Sequence, residues 1–162
     1  MGFLSYLISG ISLGSVYALI ALGYTMVYGI AKMLNFAHGD IIMVGSYVIF
    51  TATTMAGMPV PVAILASIII CTILGVVIEG IAYRPLRGTS SLAVLITAIG
   101  VSYFLQNAVQ IIYGANAKSF KSVVPLKAVK LAGGELVISG ETIVTIISCV
   151  VIMVALNTFV NK

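Results

Sequence analysis

Charge is scarce in this sequence. Asp, Glu, Lys and Arg make up 7% of 162 residues, against about 25% in an average soluble domain. With 61% apolar residues and a mean hydropathy of +1.23, the composition is that of an integral membrane protein, and nothing in it suggests a second, soluble domain within 1–162. Histidine is almost absent: His38 stands alone, which excludes an HExxH zinc site or a pair of helical His ligands. A Ser/His hydrolase would need His38 to meet a serine such as Ser46, and Gly45-Ser46 has no GxSxG context. The two cysteines, Cys71 and Cys149, sit inside apolar runs without a CxxC or Cys/His grouping, so they read as small apolar residues and no metal site is expected. Basic residues are missing before Lys32, and the apolar run there is far longer than the roughly 7 to 15 residues of a signal-peptide core, so it reads as a retained span. A basic stripe is also missing. The net charge of +4 and pI near 9.2 come from residues scattered among membrane segments, which fits an anionic lipid surface and not nucleic acid.

Against this background one polar island stands out. Asn35-Phe36-Ala37-His38-Gly39-Asp40 holds the only His and the only Asp of the chain. An Asp at the centre of a membrane helix costs about 2.5 to 3.5 kcal/mol on insertion scales, so the island lies outside the hydrocarbon or faces protein or water.

The apolar windows predict an all-α, polytopic bundle of about five spans. The first runs from about Phe3 to Ile30, with Gly10, Gly14 and Gly23 as candidate helix-packing positions and Tyr24 and Tyr28 at its end. After the island, Ile41 to Met55 rises only about 23 Å at 1.5 Å per residue, short of a core of about 30 Å. This shortfall suggests a broken helix near 35–40, since irregular backbone at membrane depth is tolerated only where protein or water satisfies it. A third span, Val62 to Tyr83, ends on Arg84-Pro85-Leu86-Arg87, where proline stops the helix and the arginines mark a cytoplasmic loop; Glu79, one turn inside, is placed to pair with Arg84. The fourth, Ser91 to Tyr113, carries Tyr103, Gln106, Gln110 and Tyr113 on one face with Asn107 beside it. The segment 114–141 brings four lysines and a Gly133-Gly134 turn between Val129-Lys130-Leu131 and Glu135-Leu136-Val137-Ile138, read as a small β-hairpin. A fifth span, Thr142 to Val160, follows.

Charge does not orient the chain. With the arginine loop inside, Lys32, Arg84, Arg87 and Lys162 lie on the cytoplasmic side against Lys118, Lys121, Lys127 and Lys130 outside, a tie.

Three blocks carry a resemblance: Gly14 to Ile30, including Tyr17-Ala18-Leu19-Ile20-Ala21-Leu22-Gly23-Tyr24; the island Asn35 to Asp40; and Ala82-Tyr83-Arg84-Pro85-Leu86-Arg87. Ala98-Ile99-Gly100-Val101-Ser102-Tyr103-Phe104-Leu105-Gln106-Asn107 adds a fourth, all in order along the chain. The sequence resembles the membrane permease of the branched-chain amino acid ABC importers, the first of their two permease types. The resemblance implies a bacterial inner-membrane protein that moves leucine, isoleucine, valine or related amino acids by alternating access and does no covalent chemistry itself. It implies no cofactor on this chain, with ATP hydrolysed on separate cytoplasmic subunits. A second permease subunit and an extracytoplasmic solute-binding protein are the other implied partners, and the 114–141 hairpin falls outside. Family members continue beyond a fifth helix into a cytoplasmic loop with the coupling helix that docks on the ATPase, so the resemblance implies an N-terminal portion that cannot couple to an ATPase alone.

Read from the residues themselves, an amino acid zwitterion needs hydrogen-bonding partners for its charged ends and apolar wall for its side chain. The expected border of the route is therefore Tyr24, Tyr28, Asn35, His38, Asp40, Gln106, Asn107 and Gln110. A channel or ion-coupled secondary carrier using His38 and Asp40 is the rival, since His titrates near neutral pH; independence of a proton uncoupler separates the two. A lone His without a ligand partner reads as capping and orienting the break in preference to handling protons. A purely structural membrane subunit is a further reading, distinguished by uptake after deletion.

Overall fold

The computed structural model describes residues 2–32, 35–119, 129–131 and 136–160. Four helices among them are long and apolar enough to cross a membrane, within Phe3–Gly29, Val60–Leu86, Ser91–Tyr113 and Gly140–Thr158. The expected second span is not one of the four. It is a 13-residue helix extended by a five-residue π-helical turn, so the shortness of its apolar run is real. The chain divides into two compact units, residues 1–26 with 122–162 and residues 27–121.

In the first unit, α1 (Gly2–Ala31) is one uninterrupted helix that passes into the second unit at Val27. Glycine weakens a helix in water, but each glycine here sits in an apolar run whose neighbours sustain the helix. Apart from the neighbouring backbone of α1 itself, nothing among the described residues lies within 4 Å of a Cβ placed on Gly10 or Gly14. Two three-residue strands, β1 (Val129–Leu131) and β2 (Leu136–Ile138), pair antiparallel with Val129 opposite Ile138 and Leu131 opposite Leu136. Gly133 and Gly134 of the expected turn, with Lys121, Lys127 and Lys162, lie outside the described residues. α5 (Gly140–Val160) starts where the Ser139 hydroxyl accepts the Thr142 amide at 3.3 Å, as a capping serine does; Cys149 is buried on it.

The second unit is built on α2 (His38–Phe50), α3 (Val60–Ile78) and α4 (Ser91–Tyr113). Lipid is as apolar as leucine, so such helices associate through close packing and hydrogen bonds and not through hiding their large side chains. Accordingly Ile68, Ile69, Ile73 and Val76 of α3 are exposed, while Ala63 and Ser67 are buried. Small residues let α3 approach α2: the Ser67 hydroxyl donates to the Gly45 carbonyl at 3.0 Å and the Cys71 thiol to the Ile41 carbonyl at 3.5 Å. A Cβ on Gly45 would lie 2.9 Å from Cys71 Sγ and 3.0 Å from Ser67 Oγ, so only glycine fits there without a shift.

Two π-helical turns punctuate this unit. The first, Thr51–Met55, ends α2. There the Thr51 and Thr53 hydroxyls donate to the Tyr47 and Ile49 carbonyls at 2.8 and 2.7 Å, a back-bonding that loosens a helix. The second, Glu79–Tyr83, follows α3 and leads into a 3-10 turn, Arg84–Leu86. Pro85 therefore sits inside a last tight turn, and Arg87 is the first extended residue, with φ −63° and ψ 120°. This changes the expected ion pair. Glu79 bonds Arg87 and not Arg84, because Arg87 is where the chain leaves the helix. α4 opens on Ser90, whose hydroxyl accepts the Ala93 amide at 3.3 Å. The core cluster joins Ala37, Ile78, Tyr83, Val94, Ala98 and Leu105, so the end of the island packs directly against α4 and the second π-helical turn.

Candidate functional site

The break between α1 and α2 starts at Lys32, a non-glycine residue at φ +53°. This left-handed conformation is uncommon outside Gly, Asn and Asp, and it ends α1 where the sequence loses its apolar run. The chain then closes a small turn: the Asn35 side-chain Oδ1 accepts the Ala37 amide at 3.1 Å, and the Asn35 carbonyl accepts the His38 amide at 3.2 Å. Asn is favoured at such a position because its carboxamide imitates a backbone turn. α2 starts immediately, so His38, Gly39 and Asp40 form its first turn and are not a loop. No side chain caps this start, Ala37 being the residue at that place. The turn is held by Asn35, while His38 is half-buried in the first turn of α2 and does not supply the expected cap.

The polar island and the amide-bearing fourth span meet here. Asp40 and Ser67 are the buried polar residues among those described, with Asp40 only 8% exposed. Gln106 on α4 donates from Nε2 to Asp40 Oδ1 at 3.0 Å and to Ser102 Oγ at 3.1 Å. A buried carboxyl group is costly without such a partner, and Ser102 also accepts from the amide that supplies it. One turn along, the buried Tyr83 hydroxyl donates to Asn35 Oδ1 at 2.8 Å. That oxygen therefore receives both the turn's own amide and a hydroxyl from the π-helical turn after α3.

The remaining expected residues divide. Asn107 is exposed and spends its Nδ2 on the Tyr103 carbonyl of its own helix at 2.7 Å; Gln110 is exposed. On the face with Gln106 and Gln110, Tyr103 is 63% exposed, while Tyr113 turns to α2. Its hydroxyl shares a 2.7 Å bond with Thr51, and its ring lies 4.5 Å from that of Tyr47. Near that pair a small cavity is lined by Ser46, Tyr47, Phe50 and Lys118. Tyr28 is exposed and lines a different cavity with Lys32 and the start of α4. Tyr24 is half-buried and belongs to the first unit.

Sequence reasoning missed Tyr83, Ser102, Tyr47 and Thr51. For Ser102 a signal existed: it precedes Gln106 by four residues, the spacing at which helical side chains meet. Tyr83 and Thr51 gave none, because each depends on a π-helical turn.

Known proteins extend this picture. A family described as the permease component of the branched-chain amino acid transport system matches residues 6–160. The chain is 42% identical over 170 aligned residues to the high-affinity branched-chain amino acid transport system permease protein BraD of Pseudomonas aeruginosa, an alignment covering 99% of this chain and 55% of that protein. It is 46% identical over 129 residues to the corresponding LivH proteins of Salmonella typhimurium and Escherichia coli K12, covering 75% of this chain and 42% of each. The chain thus spans about half the length of the curated relatives it matches. No solved structure matches it.

Proposed function

The chain belongs to the family of branched-chain amino acid transport system permease components, and from that premise we propose that it supplies part of the translocation route of an ATP-driven amino acid importer in a bacterial inner membrane. ATP is hydrolysed on separate cytoplasmic subunits, a second permease completes the route, and an extracytoplasmic binding protein delivers the substrate. In this reading the loop with Arg84 and Arg87 is cytoplasmic, and Gly10, Gly14 and Gly23 of α1 form a small-residue surface for another membrane helix. Apart from α1's own backbone, no described residue comes within 4 Å of a Cβ on Gly10 or Gly14, which supports such a surface.

The observation that carries the reading is the hydrogen bond from Gln106 to Asp40 across α2 and α4. A neutral amide is a modest donor to a carboxylate, and an ammonium forms a charge-assisted bond about twice as strong. A passing amino acid can therefore displace Gln106 from Asp40, and Ser102 holds the released amide nearby. The exchange keeps Asp40 paired, now with the substrate ammonium, where lone charges are expensive. On this reading the Tyr83–Asn35 bond, made in this structure, is released when this end of α2 changes arrangement. Alternating access needs such a two-state element.

The test is leucine uptake into proteoliposomes holding the assembled transporter, with ATP inside. Asp40→Asn is expected to cut the rate at least tenfold, and Gln106→Leu several-fold. Wild-type uptake by both variants would overturn the assignment. Uptake that needs no ATP and is abolished by a proton uncoupler would overturn the importer reading itself.

A further inference from the structure

At the end of the second unit that carries the arginine loop, a cavity of about 520 Å³ opens between the last turn of α1 and the start of α4. Its walls combine two chemistries. Tyr28, Lys32 and Ser91 offer two hydroxyls and an ammonium, while Leu86, Leu92 and Leu95 are apolar, and no acidic residue lines it. We propose that this cavity binds an anionic phospholipid, with the phosphate at Lys32 and an acyl chain on the flank of α4.

Three observations support one occupant over others. Lys32 is exposed and has no carboxylate partner among the described residues, where the single ion pair is Glu79 with Arg87. Arg84 and Arg87 flank the cavity-lining Leu86, and Arg87 directly precedes Gly88, so this end carries three cationic side chains against one carboxylate, Glu79, which pairs with Arg87. Basic pockets between membrane helices are sites where anionic headgroups bind. The third observation distinguishes a lipid from a free anion. From Leu92 the exposed side chains Ile96 and Ile99 continue along α4, at the i, i+4, i+7 spacing that keeps them on one face. A soluble phosphate has no use for that apolar track, whereas an acyl chain descending from the headgroup lies along it. Thr89 is not one of the donors, because its hydroxyl is spent on the Leu86 carbonyl at 2.8 Å.

The inference rests on the membrane-spanning helices and not on the substrate. It is tested by thermal unfolding of the purified protein in neutral detergent, followed by circular dichroism while phosphatidylglycerol or phosphatidylcholine is titrated in. Phosphatidylglycerol is expected to raise the midpoint by several degrees and phosphatidylcholine by much less. Lys32→Gln should remove at least half of the difference and Lys32→Arg should restore it, while Lys118→Gln, at the other end of α4, should leave it unchanged. Equal shifts with both lipids, or an undiminished difference in Lys32→Gln, would overturn the proposal. So would the same shift with glycerol phosphate in free solution, which would make the ligand a soluble anion. A difference that vanishes once other transporter subunits are bound would identify the cavity as a protein interface and overturn it equally. Because the readout is lipid-dependent stability, its failure leaves the transport assignment standing, and loss of transport leaves the lipid site standing.

Discussion

Tyr83 donates its hydroxyl to Asn35 Oδ1 at 2.8 Å, joining residues 48 apart in sequence. The bond ties the start of the break after α1 to the π-helical turn that follows α3, and the same oxygen accepts the Ala37 amide. Removing the hydroxyl leaves Asn35 its local bond, whereas removing the carboxamide takes away both. Tyr83→Phe is therefore expected to cost about 1 kcal/mol and Asn35→Leu about twice that, read as the order of unfolding midpoints by circular dichroism. Equal midpoints for the two variants would contradict the shared acceptor.

Gly45 sets the distance between α2 and α3. A Cβ there would meet Cys71 Sγ at 2.9 Å and Ser67 Oγ at 3.0 Å, so Gly45→Val should destabilise the protein by about 1 to 3 kcal/mol through overpacking. Cys71→Ala removes the nearer atom, and Gly45→Ala combined with Cys71→Ala should be less destabilised than the sum of the single changes. Strict additivity in thermal melts would show that the two residues do not crowd each other.

Gly10→Ala should behave in the opposite way. Its added methyl meets nothing within 4 Å among the described residues, and alanine is a better helix former by about 1 kcal/mol, so the protein alone should be unchanged or slightly stabilised. In the assembled transporter Gly10→Leu should weaken subunit association, seen as subunit loss in size-exclusion chromatography, if α1 offers its glycines to a neighbouring helix.

Asp40 and Gln106 should be coupled. Gln106→Leu leaves the buried carboxyl without this donor, while Asp40→Leu with Gln106→Leu removes the polar group as well. A double-mutant cycle on unfolding free energy is expected to give about 0.6 to 2 kcal/mol, the range found for hydrogen bonds between membrane helices. Zero coupling would mean that the bond contributes nothing.

The Glu79–Arg87 pair should matter little. Its side chains are 45% and 63% exposed, and exposed ion pairs contribute about 0 to 1 kcal/mol. Arg87→Gln should therefore leave the unfolding midpoint close to that of the wild type, and Arg84→Gln should do the same. A fall of many degrees in either variant would show a structural role that the exposed geometry does not provide.

Sequence alone determined the solvent of this protein and the outline of its helices. A bilayer selects continuous apolar windows, and α1, α4 and α5 follow those windows within a few residues because window hydropathy is a local property. It also singled out Asn35, Asp40 and Gln106, since a polar group in such a chain is conspicuous wherever it stands. The tertiary structure decided which polar groups meet. Each residue turns a helix by about 100°, so the π-helical turns at Thr51–Met55 and Glu79–Tyr83 redirect everything beyond them. The turn at Glu79–Tyr83 lies between Glu79 and both arginines, and Glu79 pairs with Arg87 in place of Arg84. No periodicity in the sequence marks where such a slip occurs, and bonds such as Ser67 to Gly45 and Tyr83 to Asn35 form between residues far apart in the chain.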